Sequence, residues 1–148
     1  MTLRLRFIVS VSLVFGLILS ACSEPEPTAA EAGRILKRHI DQTVKHVFGT
    51  DIKITDPGGQ DIPCGNDKYK RSYAVEARAK VGSGDSEGIT LALVGTLDAI
   101  ADYRLVKVGM TPTYQEAVSN QYHTRIKLSS PSIGRIKVRG ETECLPRK

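Results

Sequence analysis

Three absences narrow the chemistry open to this chain. It has no Cys-x-x-Cys and only three cysteines in all, which excludes a paired-thiol redox motif. It has no Gly-x-Ser-x-Gly, so it lacks the nucleophile elbow that exposes a reactive serine at a strand-to-helix turn. Histidine is scarce: His39, His46 and His123 are the full set. His39 and His46 are seven apart, two helical turns and about 10 Å along one side of a helix, whereas helix-borne ligand pairs sit three or four apart. No metal and no cofactor are expected. Charge of one sign is scarce too. Two of the 21 Lys+Arg and none of the 16 Asp+Glu fall in residues 1–21, leaving a net charge of +3 for the rest. That is far from the density that argues for nucleic acid, and no nucleic-acid partner is expected. A long hydrophobic run is also missing. Residues 7–19 are apolar apart from Ser10, Ser12 and Gly16, well short of the roughly 20 residues a membrane span needs.

What that run does suit is an export signal. Arg4 and Arg6 precede it and small residues follow it. The stretch Leu19-Ser20-Ala21-Cys22 resembles the lipobox of bacterial lipoproteins. The resemblance implies cleavage before Cys22, diacylglycerol on its thiol, and an anchor on the extracytoplasmic side of the cell membrane. Two or more acyl chains hold firmly, at about 0.8 kcal/mol per buried methylene. The plain alternative is an ordinary signal with a chance cysteine. With Cys22 lipidated, Cys64 and Cys144 are the remaining pair, and an oxidising compartment makes a disulfide between them the default. It closes a loop of about 80 residues, worth about 4–5 kcal/mol on the chain-entropy model. The expected organisation is a signal peptide at 1–21, a lipidated cysteine and Pro/Glu-rich tether at 22–30, and one domain at 31–148.

Periodicity outlines that domain. Residues 29–48 carry Leu36, Ile40, Thr43 or Val44, and Val47 at helical spacing, with Ile35 beside them and Gly49 as the stop. Residues 51–55 suit a short strand, and 56–61 are turn chemistry. Residues 69–81 alternate as one long strand, interrupted at Arg71. Residues 86–102 fit a helix through Ile89, Leu93, Leu97 and Ile100, although 89–94 alone reads as a strand and Gly95 costs a helix about 1 kcal/mol. Residues 104–108 form a short strand, and 110–120 read as a loop. Residues 121–128 and 133–139 alternate as a hairpin. The order predicts an α+β fold, with helices on one face of a mostly antiparallel sheet and one disulfide. This layout resembles small actinobacterial envelope lipoproteins of the LppA type: a lipobox, an early helix, a cysteine before a long strand, a middle helix, and a terminal hairpin ending at Glu143-Cys144. The resemblance implies a cell-envelope lipoprotein of undefined role and assigns no catalytic residue.

One constellation stands out. Lys70, Arg78, Lys80, His123, Arg125, Lys127, Arg135, Lys137 and Arg139 share the strand parity opposite the apolar one. On a sheet covered from one side they make a positive face that suits an anionic partner: lipid headgroups, a wall polymer or an envelope protein. The plain reading is a solvated face whose cations keep edge strands from aggregating. The glycine-rich segment 82–88 lacks the Gly-Lys-Ser/Thr ending of a phosphate loop and reads as a connection. The functional expectation is a non-enzymatic, membrane-anchored binding module. Alternatives are a protective or inhibitory lipoprotein that blocks a toxin, a phage step or an exported hydrolase, a lipid or ligand carrier, and an envelope hydrolase.

Overall fold

A computed structural model describes residues 25–80, 84–106 and 111–147. The export signal and the acylated Cys22 expected from the sequence lie outside them. Among the described residues, no helix is long and apolar enough to cross a membrane.

The first helix, α1 (Ala29–His46), starts at a capping box. The Thr28 hydroxyl accepts from the Glu31 amide at 3.2 Å, and the Glu31 carboxylate accepts from the Thr28 amide at 2.8 Å. Two donors left open by a helix start are thereby satisfied. Leu36, Ile40 and Val44 are buried and form the stripe that faces the sheet. The helix ends in a Schellman motif, with the Phe48 amide on the Lys45 carbonyl and the Gly49 amide on the Val44 carbonyl. The left-handed residue is Phe48, at φ 55°. Gly49 serves by close approach instead, since a Cβ there would meet Val44 Cγ1 at 2.8 Å.

The remaining elements are β1 (Thr50–Asp56), β2 (Ile62–Pro63), β3 (Lys68–Lys70), β4 (Ser72–Arg78), α2 (Ser86–Ile100), β5 (Arg104–Val106), β6 (Tyr114–Ser119), β7 (Thr124–Ser129), β8 (Arg135–Thr142) and β9 (Leu145–Pro146). The main sheet runs β1-β4-β8-β7-β6-β5, and every neighbouring pair is antiparallel. Both helices pack on one face, over Tyr73, Val75, Ile126, Leu128, Ile136 and Val138. This is the α+β architecture that the alternating patterns predict. Gly140 on β8 lets α1 lie close, because a Cβ there would stand 2.5 Å from Leu36 Cδ1. The element left open between helix and strand, 86–102, is a helix over Ser86–Ile100. Asp85 caps it by accepting from the Gly88 amide at 2.8 Å, so residues 86–88 of the glycine-rich segment form the first turn of α2 rather than part of a connection.

Three elements differ from the sequence reading. The long strand at 69–81 is split at Arg71 between two sheets. The Arg71 amide donates to Thr142 Oγ1 at 3.0 Å, its carbonyl accepts from the Thr142 amide at 2.8 Å, and its guanidinium pairs with Asp61 at 2.7 Å. The backbone is therefore tied to β8 at the point where it leaves β3. A second sheet, β2-β3-β9, lies beyond it. The Cys64–Cys144 disulfide, with Cα atoms 6.1 Å apart, staples this small sheet together. Finally, the expected loop at 110–120 contains β6, whose apolar signal is thin because its core-facing positions are Gln115, Ala117 and Ser119, opposite Leu128, Ile126 and Thr124.

Candidate functional site

The helices leave the second face of the main sheet uncovered. The pleat sends alternate side chains to it. Arg125 and Lys127 come from β7, Arg135, Lys137, Arg139 and Glu141 from β8, Glu76 and Arg78 from β4, and Glu116 from β6. The five cations on β7 and β8 are all exposed. The strands thus gather most of the sequence-predicted basic residues on one surface. Lys70 continues it on β3. His123 lies in the turn before β7, in the left-handed conformation at φ 52°, and Lys80 lies just past β4.

The face is not uniformly positive, because carboxylates are interleaved with it: alternation already puts Glu76 on this parity, and register adds Glu116 and Glu141. Arg125 pairs with Glu116. Lys137 pairs with Glu76 at 3.2 Å and Lys70 with Glu141 at 3.0 Å. Arg78 approaches Asp51 at 3.8 Å, and His123 Nδ1 lies 2.8 Å from Glu143. Glu116 is only 4% exposed. The Tyr114 hydroxyl donates to its other oxygen at 3.4 Å. Burial first, and then the Glu116 charge, hold the Tyr114 phenol above its ordinary pKa.

Of the sequence-predicted cations, three are left over. Among the described residues, Lys127, Arg135 and Arg139 make no ion pair and no side-chain hydrogen bond. Register sharpens the point. Lys127 stands directly opposite Arg139 across β7 and β8, and Arg135 stands opposite Arg78 across β8 and β4. Like charges directly opposite each other are destabilising. Glu116 faces Lys127 from the β6 side, but its carboxylate is taken by Arg125. Between the strands is a small cavity of about 90 Å³, walled by Arg125, Lys127, Arg139 and Glu141, with Gly140 beneath.

The three histidines sit in separate settings. His39 is buried, with Nδ1 3.1 Å from the Tyr103 hydroxyl, which lies 2.8 Å from Thr124 Oγ1. The Tyr122 ring meets His39 edge-on at 4.9 Å. Burial lowers the His39 pKa, with Arg38 adding to the effect, and burial pushes Tyr103 up to about 12. His46 bonds the Gln42 carbonyl at 2.7 Å. Among the described residues, no three His, Cys, Asp or Glu side chains are grouped to hold a metal ion. A second cavity, of about 250 Å³ and lined largely by apolar groups, lies between α2 and the β5–β6 edge, against Val94, Leu97, Leu105 and Leu128. Compared with known proteins, the chain matches no family model, no curated protein and no solved structure.

Proposed function

We propose that this chain is an exported lipoprotein, acylated at Cys22 and held at the membrane surface, whose uncovered sheet face binds an anionic partner without catalysing a reaction. One observation carries the reading: Lys127 faces Arg139, and Arg135 faces Arg78, on a surface where acids are available elsewhere. A face selected only for solubility would place opposite charges across the ladder, as the same sheet does between Glu76 and Lys137. Two like-charge pairs cost stability and leave cations ready for an anion from outside.

The tether supports the anchoring. The Glu26 carboxylate pairs with Lys68 at 3.0 Å, and Thr28 is fixed by its capping box. Cys22 is three residues before Pro25, so an acyl anchor on it lies within about 11 Å of the fold at full extension. A domain held that close meets membrane-associated partners at a raised effective concentration. Cross-linking the anchored protein in its native membrane tests the reading. Capture of an acidic protein or wall polymer that weakens sharply at about 0.5 M salt fits it. Capture indifferent to salt, or a Cys22→Ser chain that still partitions with the membrane after normal processing, contradicts it. A stoichiometric protein partner would specify the protective or inhibitory form of the same role.

A second reading draws on the apolar cavity between α2 and the β5–β6 edge, which suits one hydrocarbon chain of a carried lipid. Solvent extraction of the purified protein followed by mass spectrometry tests that role, and an extract free of lipid beyond the Cys22 anchor removes it.

A further inference from the structure

Deepening the docking reading on which it rests, we infer that the pocket between β7 and β8 is a seat for one phosphate monoester carried by a discrete ligand. The cavity of about 90 Å³ has room for about three waters at roughly 30 Å³ each, close to the bulk of one tetrahedral oxyanion. Its charge matches as well. Among the wall residues, Arg125 is engaged by Glu116 and Glu141 by Lys70. Lys127 and Arg139 remain as two cations without a carboxylate in contact. A phosphate monoester carries a charge of about −1.5 to −2 near neutral pH, so one such group placed between them neutralises both and relieves their mutual repulsion. The guanidinium of Arg139 offers planar paired donors to two phosphate oxygens, and Lys127 supplies a point charge.

The surroundings favour a discrete group over a flat anionic bilayer. Glu76 and Glu141 lie accessible on the same face, and they would be pressed against a uniformly negative surface. A single phosphate at the seat meets only the rim carboxylate, Glu141, which Lys70 offsets. Gly140 turns its missing Cβ toward α1, where Leu36 and Ile40 lie, so the floor of the seat on this side is backbone.

The test uses the full chain in neutral detergent micelles, titrated with inorganic phosphate at about pH 8, where it is mostly a dianion, and followed by backbone amide shifts. The expected result is saturable binding with shifts centred on Gly140 and Glu141. Lys127→Ala and Arg139→Ala should each weaken it by about fivefold or more. Arg135→Ala, two same-face positions away on β8 and outside the seat, should weaken it by under about twofold, as a screened neighbouring charge does. Linear shifts spread over all basic residues would overturn the seat, as would equal loss in all three variants. Polyglutamate serves as a phosphate-free polyanion in a parallel titration. If it binds through Lys127, Arg135 and Arg139 while phosphate fails to saturate, the seat is wrong and the docking face stands. If neither probe binds, both are wrong.

Discussion

Arg139 and Lys127 face each other across the β7–β8 ladder, and Arg139 has only Ala74 on its other side. The pair is one of two local defects in the charge pattern of the sheet, the other being Arg135 opposite Arg78. Changing Arg139→Glu converts it into an opposite-charge pair and should raise stability by about 0.2–1 kcal/mol. Urea denaturation reads the change. A clear loss of stability would mean that Arg139 supports the fold and that the repulsion is not felt.

Arg125 should behave in the opposite way, although it is two residues from Lys127 on the same face. Its partner Glu116 is 4% exposed. Arg125→Ala leaves a buried carboxylate short of its donor, at a cost of about 1–3 kcal/mol. The same denaturation experiment measures it, and an unchanged midpoint would show that water reaches Glu116 freely.

Much of the sheet was legible because its buried face is regular. Ile126, Leu128, Ile136 and Val138 alternate with exposed cations, and that alternation alone finds β7 and β8, although 121–123, read as strand, form the turn before β7 and β8 runs on to Thr142. The helix at 86–100 was legible through Ile89, Leu93 and Leu97. Gly95 is tolerated there because it lies at an exposed position with nothing near its Cβ direction. β6 was hidden because its core-facing positions are Gln115, Ala117 and Ser119, which show no run of large apolar residues, and the burial of Glu116 on the other face rests on a partner nine residues later. β2 and β9 are two residues each, too short for any periodicity, and depend on the disulfide and on β3. The positive face was legible as a set of residues. Its partial neutralisation was not, because Glu76, Glu116 and Glu141 meet their cations through register.

His39 makes the fold acid-sensitive. Burial depresses its folded pKa below the usual 6.5, so between that lowered value and 6.5 the unfolded chain binds more protons than the native one. Stability therefore rises with pH across this window and is lost as pH falls through it. The Glu31 carboxyl, lowered chiefly by the Thr28 backbone hydrogen bond, and Asp61, lowered chiefly by the Arg71 hydrogen bond, titrate in a more acidic range. Urea midpoints at about pH 7.5 and 5.5 should converge in His39→Gln and separate in the parent chain. Equal separation in both would remove His39 as the cause.

Closing α1 onto β8 depends on the missing side chain of Gly140. A methyl there would meet Leu36 Cδ1 at 2.5 Å and the Arg125 carbonyl oxygen at 3.0 Å. Gly140→Ala should cost about 1–3 kcal/mol, as overpacking does, and combining it with Leu36→Ala should cost less than the sum of the two single changes. Loss of stability that simply adds across the two changes would place the strain elsewhere.

Removing the disulfide through Cys64→Ser with Cys144→Ser should cost about 4–5 kcal/mol on the loop-entropy model for 80 residues. Equilibrium unfolding of the double variant gives the figure. A cost under about 1 kcal/mol would mean that the small sheet holds its register without the staple.

The most direct measurement compares partner capture by the anchored parent protein and by Arg135→Glu/Arg139→Glu in native membranes. Both substitutions place an acid opposite a cation, Arg78 and Lys127 respectively, so the variant should melt no lower than the parent. A drop in capture of about tenfold or more with the fold intact is the predicted result. Undiminished capture by a folded variant would contradict the account and leave the basic face as a solvated surface.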